Sequence, residues 1–223
     1  MNDAIPGPAT LAPTPLIDSD HPAVVAFARR HEAADERQRA VDLYYAVRDG
    51  VRYDPYRIDL SAVGMKASRA LEIGTSWCVT KAALFAAAAR ATGIPARVGY
   101  ADVRNHLSTE RMRNLLKTDI FVWHGYTELW LDGTWVKATP AFNLKLCQRF
   151  GLLPLEFDGR RDSLYHPCDR EGRRHMEYLN DRGTFDEVPL AQIVADFAVA
   201  YSSWQPQEMH QASFDLDVAR ESR

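Results

Sequence analysis

The chain has few cysteines, no long apolar run and little net charge, and each of these shortages excludes a class of protein. Three cysteines in 223 residues are too few and too scattered for a disulfide framework, which favours a reducing compartment. No apolar run approaches the roughly 18 residues that span a bilayer. The N-terminus has an acidic residue and four prolines where a secretory signal has a basic start and an apolar core. We therefore expect a cytoplasmic protein.

The absence of other common patterns limits the ligands that we expect. A net charge of −3 gives no reason to expect a nucleic-acid or anionic-membrane partner. The sequence contains no glycine-rich phosphate loop and no dinucleotide-binding fingerprint, so no cofactor is expected. Metal-ligating residues are present but not at compact zinc spacing, so no metal is expected either. A metal-dependent hydrolase that uses His106 and His166 stays open as an alternative.

The most informative stretch covers residues 74–81 and continues into seven alanines within residues 82–91. This composition predicts a buried helix that begins near Cys78 and is capped by Thr75 or Ser76. A thiol in a first helical turn feels the helix dipole and free N–H groups, which predicts a pKa below about 8.5 and a nucleophilic role. The N–H of Cys78 is also a candidate oxyanion donor. The alternative is a buried structural cysteine.

The clearest strand signal is a pair of aromatic and apolar runs, 121–131 and 134–139, separated by Asp132-Gly133. An Asp-Gly pair between two such runs predicts a two-residue hairpin. Side chains alternate between the faces of a strand, so every second residue of the first run shares one face. The residues predicted to share that face are His124, Tyr126, Glu128 and Trp130.

The register of this hairpin predicts two further contacts. Glu128 lies opposite Lys137, so the two form a cross-strand ion pair, which is our preferred account of this carboxylate. Thr139 becomes a diagonal neighbour of His124 on the same face, within side-chain reach.

We predict a single α+β domain over residues 20–201, with a helix that carries Cys78 packed on an antiparallel sheet. An extended proline-rich segment, 1–19, precedes it, and a polar, frayed tail, 202–223, follows. The core covers about 40–143, and an irregular segment, 141–187, covers the site, because long irregular connections are uncommon elsewhere. Further predicted helices lie at about 24–28, 35–48, 57–73, 109–116 and 188–201, and a strand lies at 96–103.

A thiol nucleophile needs a nearby base, and His124 is the candidate. The helix–strand–loop–strand path from Cys78 to His124 is long enough to return to its starting edge. Cys147, in a predicted helical turn, and Cys168, in a predicted loop, lack this context. Two aromatic residues are candidates for the walls of the site, although each is also an ordinary packing residue: Trp77 and Tyr53.

Several strings, in this order, resemble the transglutaminase-like superfamily. They are VRDGVRY at 47–53, Cys78 opening its helix, ATGIPAR at 91–97, and His124 on the strand that precedes WVKATP at 135–140. The resemblance covers roughly residues 40 to 143. It implies a papain-like α+β core and a Cys-His-Asp triad that acts on amide bonds through a thioester. Members include cross-linking transglutaminases, peptide N-glycanases, bacterial cysteine peptidases and inactive scaffolds.

The chain departs from the family at the position of the aspartate, which holds Thr139. A carboxylate there fixes the imidazole tautomer and stabilises the imidazolium, whereas a threonine brings no charge. Three alternatives are open: Thr139 orients His124 alone, Asn143 takes the role, or a distant acid such as Asp102 or Asp158 replaces the aspartate. A fourth alternative is an inactive site.

The resemblance implies a cysteine-dependent amide hydrolase or acyl-transferase with a peptide or protein amide as substrate. Cys78 would form the thioester and His124 would act as base. Hydrolysis is favoured over cross-linking because water is abundant and nothing in the chain marks a site for an acceptor amine. The alternative is a catalytically weak or inactive binding or scaffold protein, and Thr139 is its main support.

Overall fold

The structure, a computed structural model, describes residues 5–106, 108–164, 170–172, 175–204 and 209–221. The α-helices within these residues are α1 (Pro22–Arg29), α2 (Glu36–Gly50), α3 (Ala67–Ile73), α4 (Cys78–Ala91), α5 (Glu110–Leu116), α6 (Leu144–Phe150), α7 (Leu190–Ala200) and α8 (Phe214–Glu221). The strands are β1 (Arg52–Tyr53), β2 (Thr75–Ser76), β3 (Ala96–Asn105), β4 (Ile120–Leu131), β5 (Thr134–Ala138) and β6 (Met176–Phe185). Short 3-10 helices lie at Pro8–Thr10 and Pro55–Arg57.

The main sheet is antiparallel and has the strand order β5-β4-β3-β6. A separate parallel pair, β1 and β2, joins the end of α2 to the segment that precedes α4. Helix α4 packs on β4 and β3, and α1, α2 and α3 pack on α4. The predicted α+β fold, with a cysteine-bearing helix on an antiparallel sheet, is therefore confirmed.

Helix α4 is buried on all sides, from Cys78 to Arg90. Its alanines allow the sheet and three helices to approach it together, because a small side chain keeps neighbouring backbones close. One side-chain contact fixes its register on the sheet: the Thr127 hydroxyl of β4 donates to the Ala82 carbonyl at 2.9 Å. The first residue of α4, and with it the Cys78 thiol, is therefore held at a fixed place beside β4.

The β4–β5 hairpin has the register that the sequence predicts. Leu131 pairs with Thr134, and Glu128 pairs with Lys137. The Lys137 ammonium lies 3.5 Å from Glu128, so the predicted ion pair is confirmed. A second cation shares this carboxylate, because Arg97 Nε lies 2.6 Å from Glu128.

Two segments in the middle of the chain differ from the sequence predictions. The helix predicted over 57–73 is wrong: only Ala67–Ile73 is α-helical, and a 3-10 turn precedes it at Pro55–Arg57. Within 141–187, predicted as irregular, the chain forms α6 and the edge strand β6. Strand β6 is only partly buried, so it lacks the alternation of polar and apolar residues that identifies a half-buried strand.

The C-terminal region also differs from its prediction as a frayed tail. Residues 214–221 form α8, and Phe214 and Val218 are buried in the main core. Two apolar residues four positions apart form one helical face, but in so short and polar a segment this signal is weak. At the other end of the chain, the predicted extended segment is tied down, since Ile17 is fully buried and Ala67 N–H donates to the Leu16 carbonyl.

Among the residues that the structure describes, none of the helices has the length and apolarity needed to cross a bilayer.

Candidate active site

Cys78 is the first residue of α4, directly after the extended residue Trp77. Trp77 occupies the N-cap position and makes no side-chain cap hydrogen bond, so the predicted cap by Thr75 or Ser76 is wrong. The Ser76 hydroxyl instead contacts the Thr80 hydroxyl. The first N–H groups of α4 are therefore not used by a capping side chain, which leaves them beside the thiol.

The Cys78 thiol is 7% exposed, and burial raises its pKa to about 11. The backbone N–H groups of Gly125, Val79 and Cys78 itself act in the opposite direction but are outweighed. The prediction that the helix N-terminus lowers this pKa below its ordinary value is therefore wrong. The cause is desolvation, which disfavours the thiolate more than the helix N-terminus stabilises it.

Gly125 places strand β4 against the first turn of α4. A Cβ atom added at Gly125 would lie 3.0 Å from Val79 Cα and 3.1 Å from the Cys78 carbonyl oxygen. A Cβ there would be tightly crowded, so the glycine favours this close approach. The N–H groups that converge here, those of Gly125, Val79 and Cys78, are the donors available to an oxyanion formed at the thiol.

His124 lies on β4 immediately before Gly125, next to a β-bulge. The pairing of β4 with β3 shifts register between Ala101 and Val103, and Trp123 has a φ of 61°. A bulky residue with a positive φ is rare and needs a compensating contact. Asp102 supplies it by accepting the Trp123 N–H at 3.1 Å. The bulge thus sets the direction of the following side chain, that of His124.

The His124 imidazole is buried, and burial lowers its pKa to about 4. Within the described residues, no hydrogen bond joins either ring nitrogen to another group. At neutral pH the resting pair is therefore a neutral thiol and a neutral imidazole, since the Cys78 pKa lies near 11. A neutral imidazole is the form that accepts a proton from a thiol.

One cleft brings four of the predicted site residues together: Cys78, His124, Trp77 and Tyr53 all line it. The empty space between its walls, about 890 Å³, includes solvent at the open side of the cleft. The Trp77 ring packs against Phe197 at 5.8 Å between centroids, and the Tyr53 ring packs against Phe142 at 4.8 Å. The cleft is the place where a substrate carbonyl would meet the thiol.

Thr139 follows β5 and shares a smaller neighbouring cavity with His124 and His175. Its backbone is fixed, since its N–H donates to the Ser163 carbonyl at 2.8 Å and its carbonyl accepts from the Tyr44 hydroxyl at 3.2 Å. Its Oγ1 is buried and has no hydrogen-bond partner in the described part of the chain. Thr139 therefore borders His124 without forming a hydrogen bond to it.

The other groups considered for orienting His124 are engaged elsewhere. Asn143 Oδ1 accepts the Tyr53 N–H at 3.1 Å, which ties the start of α6 to β1. Asp102 binds the Trp123 N–H and Arg182. Asp158 accepts the N–H groups of two following residues in an exposed loop.

Sequence reasoning missed His175, which borders both cavities and lies just before β6. It is buried, and its ring lies 5.7 Å from that of Phe142. Its neighbour in the fold, His106, donates its backbone N–H to the His175 carbonyl. Detection of β6 as a strand would have placed His175 at the sheet end nearest to the site.

Metal-ligating side chains do not gather in groups of three or more among the described residues. Two residues considered from the sequence lie outside the described residues: His166, a candidate metal ligand, and Cys168, the third cysteine.

Known families provide a comparison for a thiol at a helix N-terminus beside an imidazole on the adjacent strand. A sequence model of the transglutaminase-like superfamily matches residues 25–140, more than half of the chain. The chain belongs to the transglutaminase-like superfamily. The matched region contains Cys78, His124 and Thr139, and it extends further towards the N-terminus than the predicted core of 40–143.

No curated protein matches this superfamily member significantly. Among solved structures, a candidate cysteine protease from Cytophaga hutchinsonii is similar, with a TM-score of 0.45 and 18% sequence identity. The similarity covers 80% of this chain and 46% of that one, so this chain spans about half the length of the Cytophaga protein.

Proposed function

We propose that the protein is a cysteine-dependent amide hydrolase or acyltransferase, with Cys78 as nucleophile and His124 as general base. The observation that carries the proposal is that both side chains line one cleft, with β4 pressed against the first turn of α4 by Gly125. Membership of the transglutaminase-like superfamily supports it, because the matched range includes Cys78 and His124, the residues that resemble the family's nucleophile and base.

The reaction begins from the neutral pair. Cys78 Sγ attacks the amide carbonyl carbon while His124 takes the thiol proton, because no thiolate is present at neutral pH. The oxyanion of the tetrahedral intermediate meets the N–H groups at the start of α4 and at Gly125. The C–N bond then breaks, the amine leaves with the proton from His124, and a thioester on Cys78 remains.

Water or a second amine completes the cycle. His124 takes a proton from this nucleophile as it attacks the thioester carbonyl. The C–S bond breaks, Cys78 regains its proton, and a carboxylic acid or a new amide is released. No charged group of the described chain stabilises the imidazolium that forms twice in this cycle. We therefore infer slow turnover.

The second candidate function is a binding or scaffold protein that retains the fold without turnover. The Thr139 substitution and the raised pKa of the Cys78 thiol favour it. The two candidates differ in what His124 does to the thiol: an enzyme uses it as a base, and a scaffold does not.

Alkylation of the cysteines by a chloroacetamide separates the two functions. Burial raises the pKa of Cys147 to about 11 as well, so Cys147 is a matched internal control. We expect Cys78 to react at least about tenfold faster at pH 7, and His124→Ala to remove this difference, because the base is lost. Peptide mass spectrometry reads each site. Equal rates at both cysteines in the wild-type protein would support the scaffold.

A further inference from the structure

The side chains that line the cleft share an apolar character that the proposed mechanism does not use. Among the described residues that line it, none is an aspartate, glutamate, lysine or arginine. Most are aromatic, aliphatic or methionine side chains, and they come from elements throughout the chain. Examples on different elements are Leu116, Val122, Phe150, Met176 and Phe197.

Several charged residues that flank lining residues in the chain are paired with one another. On α8, Asp217 accepts from Arg111 Nε at 2.7 Å and from the Tyr56 hydroxyl at 3.0 Å. Asp215 lies 2.7 Å from Arg52 and 3.0 Å from Arg149. These pairs hold α8 in place.

The same helix closes one side of the cleft. Phe214, the first residue of α8, lines the cavity and packs edge-on against Tyr56 at 5.3 Å and Tyr53 at 6.0 Å. Phe150 lies 6.3 Å from the same ring. The space beside the thiol is therefore bounded by aromatic rings.

We infer that the acyl group delivered to Cys78 is uncharged and apolar, an aliphatic chain or an aryl group of small-molecule size. This inference rests on the proposed function and names its substrate class. A charged acyl group would lose its hydration in the cleft without gaining an oppositely charged partner among the described lining residues, which costs several kcal/mol. An apolar group gains roughly 0.8 kcal/mol for each buried CH₂.

The apolar lining of the cleft also favours release of the carboxylate that hydrolysis produces. Attack of Cys78 on an apolar carboxamide forms the S–C bond, breaks the C–N bond and releases the amine with the proton from His124. Water then attacks the thioester, with His124 as base, and frees a carboxylic acid that ionises at neutral pH. The carboxylate binds the cleft less well than the amide did, because it meets no cationic side chain among the described lining residues.

Binding to the Cys78→Ala variant tests the inference without turnover. Isothermal titration compares hexanamide and 3-phenylpropanamide with acetamide and with succinamate, the charged monoamide. We expect the two apolar amides to bind at least about tenfold more tightly than acetamide, because each has at least four more carbons to bury. We expect the same margin over succinamate, because its carboxylate loses hydration in the cleft. Equal binding of all four, tighter binding of succinamate, or no binding of the apolar amides would overturn the inference.

Variants of the wall add a position-specific test. Val122→Asp places a carboxylate in the cleft and is expected to weaken hexanamide binding at least about tenfold. The matched control is Val194→Asp on α7, since Val194 is exposed and does not line the cleft. Val122→Thr, a same-shape variant that is easier to fold, is expected to weaken binding about two- to threefold. Unchanged affinity in Val122→Asp or in Val122→Thr would count against the inference.

Turnover of p-nitroanilides by the wild-type protein separates this inference from the proposed function. Preferred cleavage of the hexanoyl over the acetyl and succinyl anilides supports both. Preferred cleavage of the succinyl anilide overturns the inference and leaves the function standing. Tight binding of apolar amides to Cys78→Ala, with no cleavage of any anilide by the wild type, overturns the function and leaves the apolar site standing.

Discussion

At the scale of single residues, burial determines the chemistry of the candidate pair more than the helix dipole does. Burial raises the pKa of the Cys78 thiol to about 11 and lowers that of the His124 imidazole to about 4. An aspartate beside the histidine would reverse the second effect, since an adjacent negative charge favours the imidazolium. Thr139 carries no charge, so the pKa of the His124 imidazole stays low.

The first prediction concerns the pH dependence of any turnover. His124 acts as a base only when neutral, so we expect kcat/KM to fall on the acid side with an apparent pKa near 4, well below the ordinary 6.5. Thr139→Asp is expected to move this limb upwards by at least one pH unit and to raise kcat/KM at pH 7 about tenfold. Rate measurements from about pH 3 to pH 9 check both.

The control for this prediction is Thr139→Val, which has the same shape and no hydroxyl. Because Thr139 Oγ1 has no partner among the described residues, the valine variant is expected to keep the activity within about twofold. A large loss in Thr139→Val would show that the hydroxyl orients His124 after all.

The lowered pKa of His124 also makes the stability of the fold depend on pH. The contribution of His124 to the free energy of unfolding is full above pH 6.5 and is lost as pH falls towards 4.

At the scale of elements, two features of β4 position the imidazole: its close approach to α4 at Gly125 and its bulge at Trp123. Both depend on backbone geometry, and neither follows from the side-chain alternation that predicts the hairpin. The bulge adds a residue to β4 just before His124, where the predicted shared face of the strand begins.

A second prediction tests the close approach. Gly125→Ala is expected to lower kcat/KM and the Cys78 alkylation rate about ten- to hundredfold, because the added Cβ pushes β4 away from the first turn of α4. Gly50→Ala is the control, since a Cβ at Gly50 meets nothing within 4 Å. Thermal melting shows whether both variants are folded. Full activity in a folded Gly125→Ala protein would contradict this role.

A third prediction tests the bulge. Asp102→Ala removes the acceptor of the Trp123 N–H and is expected to release the bulge, which turns His124 and raises its pKa towards 6.5. An NMR titration of the His124 ring measures this shift, which a mere loss of stability would not produce. Asn180→Ala is the control, because it removes only a contact to the other Asp102 oxygen.

At the scale of the whole molecule, the sequence predicted the features that depend on neighbouring residues and missed those that depend on distant ones. The hairpin and α4 have strong local signals, so their positions and register are confirmed. Strand β6 and α8 acquire their structure from partners far away in the chain. The protonation states of Cys78 and His124 depend on how deeply both are buried, which no local pattern reports.

Lys81 is a further example of a residue whose state depends on the whole fold. It lies one turn after Cys78 on α4 and is fully buried. Its ammonium donates to the Arg48 carbonyl at 2.8 Å and the Val51 carbonyl at 2.5 Å, and so satisfies the end of α2. Burial lowers its pKa from 10.5 to about 7.

The final prediction concerns the pH dependence of stability. Because the folded pKa of Lys81 lies below the unfolded one, its contribution is full above pH 10.5 and is lost as pH falls through about 7. Between these values, we expect the free energy of unfolding of the wild type, relative to Lys81→Met, to rise with pH by up to about 1.4 kcal/mol per unit. Urea unfolding at pH 8, 9 and 10 measures the difference.

The matched control is Lys145→Met on α6, since Lys145 is exposed. We expect its stability to stay parallel to that of the wild type across the same pH range. If Lys81→Met is also parallel to the wild type, the two carbonyl acceptors outweigh desolvation and Lys81 is charged in the fold. A rising difference instead shows a neutral amine that joins α4 to α2, next to the turn that carries the nucleophile.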